Sequence, residues 1–248
     1  MFAVPMRFKL IACEVLFREV SLCAAQSPHV VDLVFMPKGL HDNPRHMTEV
    51  LQAEIDNTDP ALEEAVALGY GLCSRGTVGL IAREVPLVLP RCHDCITLFL
   101  GSREAYQGHF TQHPGSYYFT AGWIERGGTL MEPPDEMQGL GRTLAEYIEQ
   151  YGEDNGRFLY DFERQWQKHY TTAAYIKMPG SDHPAVRARA EELAQEYDWQ
   201  VEELVGSERL FRALCNGDWS PEDFLRVPPG QQVAQATDDQ VIKAVGTP

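Results

Sequence analysis

At 248 residues the chain is long enough to bury a substantial core, as one large α/β domain or two closely packed halves. Its formal charge of -15 and isoelectric point near 4.9 argue against a broad nucleic-acid surface, since phosphate binding would need a basic patch and no Lys/Arg cluster supplies one. No apolar run is long enough for a bilayer and no charged leader precedes a secretory core, so the expectation is a cytoplasmic protein away from the membrane.

The predicted elements alternate. FKLIAC (residues 8–13) reads as a buried strand, and EVLFREVSLCAAQS after it has helical spacing. VVDLVFMP is a second strand, and PRHMTEVLQAEIDNT a second helix with Pro44 suited to its first turn. EEAVALGYG gives a third strand, SRGTVGLIARE a short helix, VPLVLP a fourth strand and DCITLFLGSREAYQGHF a further helix. The next stretch is less regular: YYFT is a strand, followed by an aromatic turn and two helical segments. The rhythm resumes with TTAAYIKM, HPAVRARAEELAQEYD, WQVEELVG, SERLFRALCNG and a short DFLRVP.

This alternation predicts an α/β fold, a mainly parallel sheet with helices on both faces, as two related Rossmann-like halves around a central cleft. The expected division is 1–128 for the half carrying the cysteines, 129–230 for the second half, and 231–248 for a flexible tail without sustained apolar pattern. The stretch IERGGTLMEPPDE is the expected crossover.

Six cysteines in a chain of this size do not resemble a disulfide scaffold, and in a reducing compartment their clustering favours metal binding or reactivity. Three predicted strands each deliver a thiol at the carboxyl end: Cys13, Cys73 and Cys92. In open parallel sheets the loops there commonly build the ligand site. Three converging thiolates would suit zinc, iron or an iron–sulfur cluster, with one position left for substrate. Cys95 completes a CxxC with Cys92, and either joins the site or turns into helix packing. Cys23 and Cys215 fall in predicted helices and read as core. Small apolar packing is the alternative for all six.

The turn GYGLCSRG is neither a dinucleotide fingerprint nor a phosphate-binding P-loop. Gly71 would allow close backbone approach to a ligand. Ser74 would cap the following helix, and Arg75 would meet a carboxylate or phosphate, although a tight turn with a solvent-facing Arg explains both equally. Glu14 and His93 are candidates for proton transfer, set against an ion pair with Arg18 and a structural histidine. His41 lies just past the second strand. Tyr118 and Trp123 would line an apolar pocket wall, or simply core.

The segments LIACEVLFRE, LGYGLCSRGTVGL, RCHDCITLFLGSRE and GSYYFTAGWIE, in this order, resemble the conserved hypothetical family called domain of unknown function 1638, over Phe8 to Val227. Such proteins are often encoded in anaerobes and methanogens, sometimes near corrinoid-dependent methyl-transfer systems. The resemblance therefore implies a one-carbon or corrinoid-linked setting, although the histidine-containing cobalamin-binding signature is absent. The leading expectation is a metal- or iron–sulfur-dependent enzyme acting on a small anionic metabolite. Cys13, Cys73 and Cys92 would hold the centre, Ser74, Arg75, Gly71, Tyr118 and Trp123 would contact substrate, and His93 or Glu14 would exchange a proton. The alternatives are an accessory protein binding metal or corrinoid for a methyltransferase system, and a thiol enzyme without metal. A homodimer is compatible with aromatic helices such as LYDFERQW.

Overall fold

The structure, a computed structural model, describes residues 5–126, 144–163, 169–180 and 183–247. It is mixed α/β and divides into two compact units, Met1–Gln107 with Gly206–Pro248, and Gly108–Val205. By this division the chain leaves the first unit after Gln107 and returns to it at Gly206, where the sequence pattern places a boundary at 128. Most of the expected crossover, residues 127–136, lies outside the described residues.

In the first unit, β1 (Arg7–Cys13), β2 (Val30–Met36), β3 (Val66–Gly69), β4 (Leu87–Pro90) and β8 (Phe224–Val227) form one sheet in the order β2-β1-β3-β4-β8. The first four run parallel and β8 pairs antiparallel with β4. Alternation along the strands sorts their side chains. Ile11, Val66, Leu68, Leu87 and Leu89 share a buried cluster with α2 (Pro44–Asp56), which contributes Met47, Leu51 and Ile55 at helical spacing. Each of those three is worth roughly 1.5–3 kcal/mol on burial. Helix α2 starts where Asn43 accepts the His46 N–H at 3.2 Å and Pro44 takes the first turn.

The other strand positions, Phe8, Leu10 and Val88, are also fully buried. Helices α1 (Phe17–Ala25) and α9 (Arg209–Cys215) pack together, burying Val20, Phe211 and Leu214. Cys23 and Cys215 lie in these helices as packed core. Phe211 meets Phe99 of α3 (Ile96–Leu100) edge-on at 5.3 Å.

Three local expectations change. No helix forms over SRGTVGLIARE: a 3-10 turn spans Cys73–Arg75, and the chain then runs beside β9 (Gln231–Gln235), with Gly79 N–H to Val233 O at 2.8 Å and Ala82 N–H to Gln231 O at 2.9 Å. Two of its N–H groups go to this partner strand, and the Ile81 N–H goes to the Gln52 side chain of α2, in place of a helix ladder. The single helix expected over 94–110 breaks into α3 and α4 (Arg103–Gln112) at Gly101, whose φ is +83° and where a Cβ would fall 2.4 Å from that of Ser207. The segment expected as a tail is a β-hairpin, β9 with β10 (Ile242–Gly246), whose Val233 and Ile242 enter the α2-side core. Its few apolar residues complete a core that other elements mostly supply, which is why their pattern was too sparse to notice.

In the second unit, β5 (Ser116–Phe119), β6 (Thr172–Lys177) and β7 (Gln200–Val205) form a parallel sheet in chain order. Phe119, Ile124 of α5 (Ala121–Glu125), Tyr175 and Trp199 pack with Val186, Ala190 and Leu193 of α8 (Pro184–Glu196). Helices α6 (Leu144–Tyr151) and α7 (Glu153–Glu163) pack on each other. Among the described residues, no helix is long and apolar enough to cross a membrane.

Candidate cysteine site

The strand order reverses between β1 and β3: the chain leaves β1 for β2 on one side and returns on the other. Such a switch point opens a crevice beyond the carboxyl ends of the strands. Strand β1 ends on Cys13, the chain leaving β3 reads Tyr70–Gly71–Leu72–Cys73, and the chain leaving β4 carries Cys92 and Cys95.

Backbone bonds hold the two longer loops together. Leu72 N–H donates to Cys92 O and Cys73 N–H to His93 O, both at 2.8 Å. Gly71 makes this approach possible, because a Cβ there would lie 2.6 Å from the Cys92 carbonyl oxygen and 2.8 Å from its Sγ. The close approach expected of this glycine is therefore to the neighbouring cysteine loop. The buried Thr77 hydroxyl donates to Gly71 O at 3.0 Å. Asp94 fixes the other loop, its Oδ1 accepting the Ile96 N–H and its Oδ2 the Tyr106 hydroxyl, each at 3.0 Å.

Four thiols, not three, share one electrostatic environment. After burial, which is the largest cause for each, Cys73 is pushed up by Cys92, Asp94 and Cys13, and Cys95 by Asp94, Cys73 and Cys13. Cys92 is raised by burial, Asp94 and Cys95. Cys13 is raised by burial to about 11. Desolvation and mutual repulsion thus keep all four protonated near neutral pH. All are free thiols. Among the described residues, no three of them bring their sulfurs within 4.8 Å of one another.

Tyr70 stands among them. It is 4% exposed, its hydroxyl is buried without a hydrogen-bond partner, and burial followed by Cys13, Cys73 and Cys95 raises its pKa. Its hydroxyl lies close to the Cys13 thiol without reaching hydrogen-bonding geometry. A buried orphan hydroxyl costs about 1–3 kcal/mol, so it marks a place where polar contacts are missing.

The turn at Cys73 is strained. Cys73, Ser74 and Arg75 have φ of 44°, 54° and 73°, three consecutive left-handed residues without a glycine. The turn is held by Gly76 N–H to Cys73 O at 2.9 Å and by the Thr48 hydroxyl to Gly76 O at 2.9 Å. Ser74 and Arg75 are exposed on it, and Ser74 caps no helix.

The remaining candidates divide. Glu14 accepts the Lys38 N–H at 2.7 Å and so ties the loop after β2 to the end of β1. The His93 side chain is exposed beside Cys92. His41 is exposed and lies 3.4 Å from Asp42. Tyr118 and Trp123 belong to the second compact unit. There Trp123 packs edge-on against Tyr117 and Phe119, and the Tyr118 hydroxyl meets His109 Nδ1 at 2.7 Å. Sequence reasoning left Cys95 undecided and overlooked Tyr70, although Val66, Leu68 and Tyr70 alternate onto the same side as Ile11 and Cys13.

A family model described as "Protein of unknown function (DUF1638)" matches residues 35–215. The matched stretch includes Cys73, Cys92 and Cys95 and begins after β1. No curated protein and no solved structure matches the chain.

Proposed function

Because the chain belongs to the family described as "Protein of unknown function (DUF1638)", whose description names no reaction, we propose from its chemistry an iron–sulfur- or soft-metal-dependent enzyme acting on a small anionic metabolite. One observation carries this reading: thiols from the ends of three adjacent parallel strands gather around a buried, unpartnered Tyr70 hydroxyl. Thiols whose pKa values are raised by desolvation are poor nucleophiles, which weighs against a metal-free thiol enzyme, although of Cys73, Cys92 and Cys95 only Cys92 is fully buried. A cation would ionise them and release their protons.

No three of these sulfurs lie within 4.8 Å of one another, which fits an iron–sulfur cluster better than a single ion drawn in by three thiolates. Cys13, Cys73 and Cys92 would hold the centre, and it would supply redox or Lewis-acid chemistry. Arg75 and Ser74, exposed beside Cys73, orient the anionic substrate. His93 exchanges the proton, and Glu14, engaged by the Lys38 N–H, positions the β1 end.

Anaerobic purification followed by iron, zinc and acid-labile sulfide analysis tests the proposal. Wild-type protein is expected to hold iron with sulfide, and Cys13→Ser, Cys73→Ser and Cys92→Ser to lose most of both. Cys95→Ser distinguishes a four-thiolate centre from one with an open position. Protein that stays free of metal under reconstitution, with folded cysteine variants indistinguishable from wild type, overturns it.

A further inference from the structure

We propose that His109, His113 and Glu202 form a separate mononuclear site for a divalent cation of zinc type, within the second compact unit. The ligand atoms of these three residues all lie within 4.8 Å of one another. Glu202 Oε2 is 3.2 Å from His109 Nε2 and 3.8 Å from His113 Nδ1. With zinc–ligand bonds near 2.0–2.1 Å, the edge of a tetrahedron is about 3.3 Å, so Glu202 already lies near that spacing from both rings, and small side-chain shifts would close the set.

The sequence builds this arrangement from three elements. His109 lies on α4, and the His113 N–H donates to His109 O at 2.8 Å, extending the helical turn and putting the rings four residues apart on one side. The rings stack at 4.9 Å with 13° between their planes. Glu202 comes from β7, in register with Ala174 of β6, which is in register with Tyr118 of β5. Tyr118, Ala174 and Glu202 therefore share one face of the sheet, with the small alanine between the two functional side chains. The Tyr118 hydroxyl, 2.7 Å from His109 Nδ1, fixes that ring and leaves Nε2 toward Glu202. A ligating histidine characteristically has its second nitrogen held in this way.

Burial is graded across the site. The His109 side chain is 11% exposed, Glu202 31% and His113 45%. Two imidazoles and one carboxylate leave a fourth tetrahedral position free for water or a ligand oxygen, the donor set of catalytic rather than closed structural zinc sites.

The test uses the full chain, stripped of metal, with serine at Cys13, Cys73, Cys92 and Cys95 so that the strand-end thiols do not compete. Cobalt(II) and zinc are titrated separately, with isothermal calorimetry for both and visible absorption for cobalt. One equivalent is expected to bind, with tetrahedral cobalt bands and no near-ultraviolet thiolate charge transfer. His113→Ala and Glu202→Gln should weaken binding more than 100-fold, and Tyr118→Phe about 10-fold, the range for an orienting partner. His113 is exposed enough for its variant to fold, and circular dichroism checks each protein. Absence of binding in the folded background protein overturns the site, as does binding that His113→Ala and Glu202→Gln leave unchanged. Neither outcome depends on the cysteine centre.

Discussion

At the scale of single residues, the cysteine site is governed by charge that burial makes costly. Asp94 raises the pKa of Cys73, Cys92 and Cys95, and is itself raised by burial while accepting bonds from Ile96 N–H and the Tyr106 hydroxyl. Asp94→Asn keeps one acceptor oxygen, turns the other partner position into an N–H donor that the Tyr106 hydroxyl can accept, and removes the charge. In metal-free protein it should lower the thiol pKa values and speed thiol–disulfide exchange with a chromogenic disulfide at fixed pH; an unchanged rate contradicts the coupling. Thiols raised in the fold bind protons more tightly there than in the unfolded chain, so their contribution to stability is complete below the unfolded value. For Cys13 it is lost as pH rises from 9.0 toward about 11. Thermal melts of metal-free protein should therefore weaken through that window, and serine at all four cysteines should flatten the loss. Much of this site was legible: thiols after strands and a glycine beside one of them are visible in the letters. Tyr70 was not, because its significance lies in a missing partner, which only three-dimensional packing reveals.

At the scale of elements, strands were easier to recognise than the helices' limits. The buried strands β1, β3 and β4 are short apolar runs that little else explains. Gly101 lies inside an apparently continuous helical pattern, and the space where its Cβ would stand is occupied by Ser207, distant in sequence. The stretch after Arg75 has helical spacing but is paired with β9, a partner that local periodicity cannot disclose. Lys9 illustrates a long-range contact that sets a helix end. Buried on β1, its Nζ donates to the carbonyls of Glu54 and Asn57 at 3.4 and 3.2 Å and lies 3.3 Å from Glu54 Oε1. It thus places a cation at the C-terminus of α2. Lys9→Met should destabilise the protein by about 2 kcal/mol, by loss of these bonds from partly buried acceptors. A chemical-denaturation midpoint equal to wild type would contradict this.

At the scale of the whole molecule, the chain after β8 belongs to the site's scaffold. Arg91, next to Cys92, donates to the carbonyls of Pro221, Gln240 and Ile242, at 2.9, 3.2 and 2.6 Å, joining the cysteine loop to the hairpin. Val233, Val241 and Ile242 are buried, and at roughly 1.5–3 kcal/mol each their loss approaches the stability of a typical domain. Removing residues 231–248 should leave a chain that melts without cooperativity and holds no metal at the cysteines; a cooperative melt at the wild-type temperature contradicts this role. Two units were legible in the strand–helix rhythm, but not that the second is inserted between residues 107 and 206 of the first, because no local pattern says that the chain after Val205 returns to the first sheet.

The central claim is that the four strand-end thiols surround an inorganic centre. Diffraction from anaerobically grown crystals, with anomalous data on both sides of the iron absorption edge, tests it most directly. The account predicts an iron-specific peak bounded by the sulfurs of Cys13, Cys73 and Cys92, with Cys95 and the Tyr70 hydroxyl beside it. Reconstituted protein with no anomalous density among these thiols, and with Tyr70 and the cysteines closed onto one another, would contradict it.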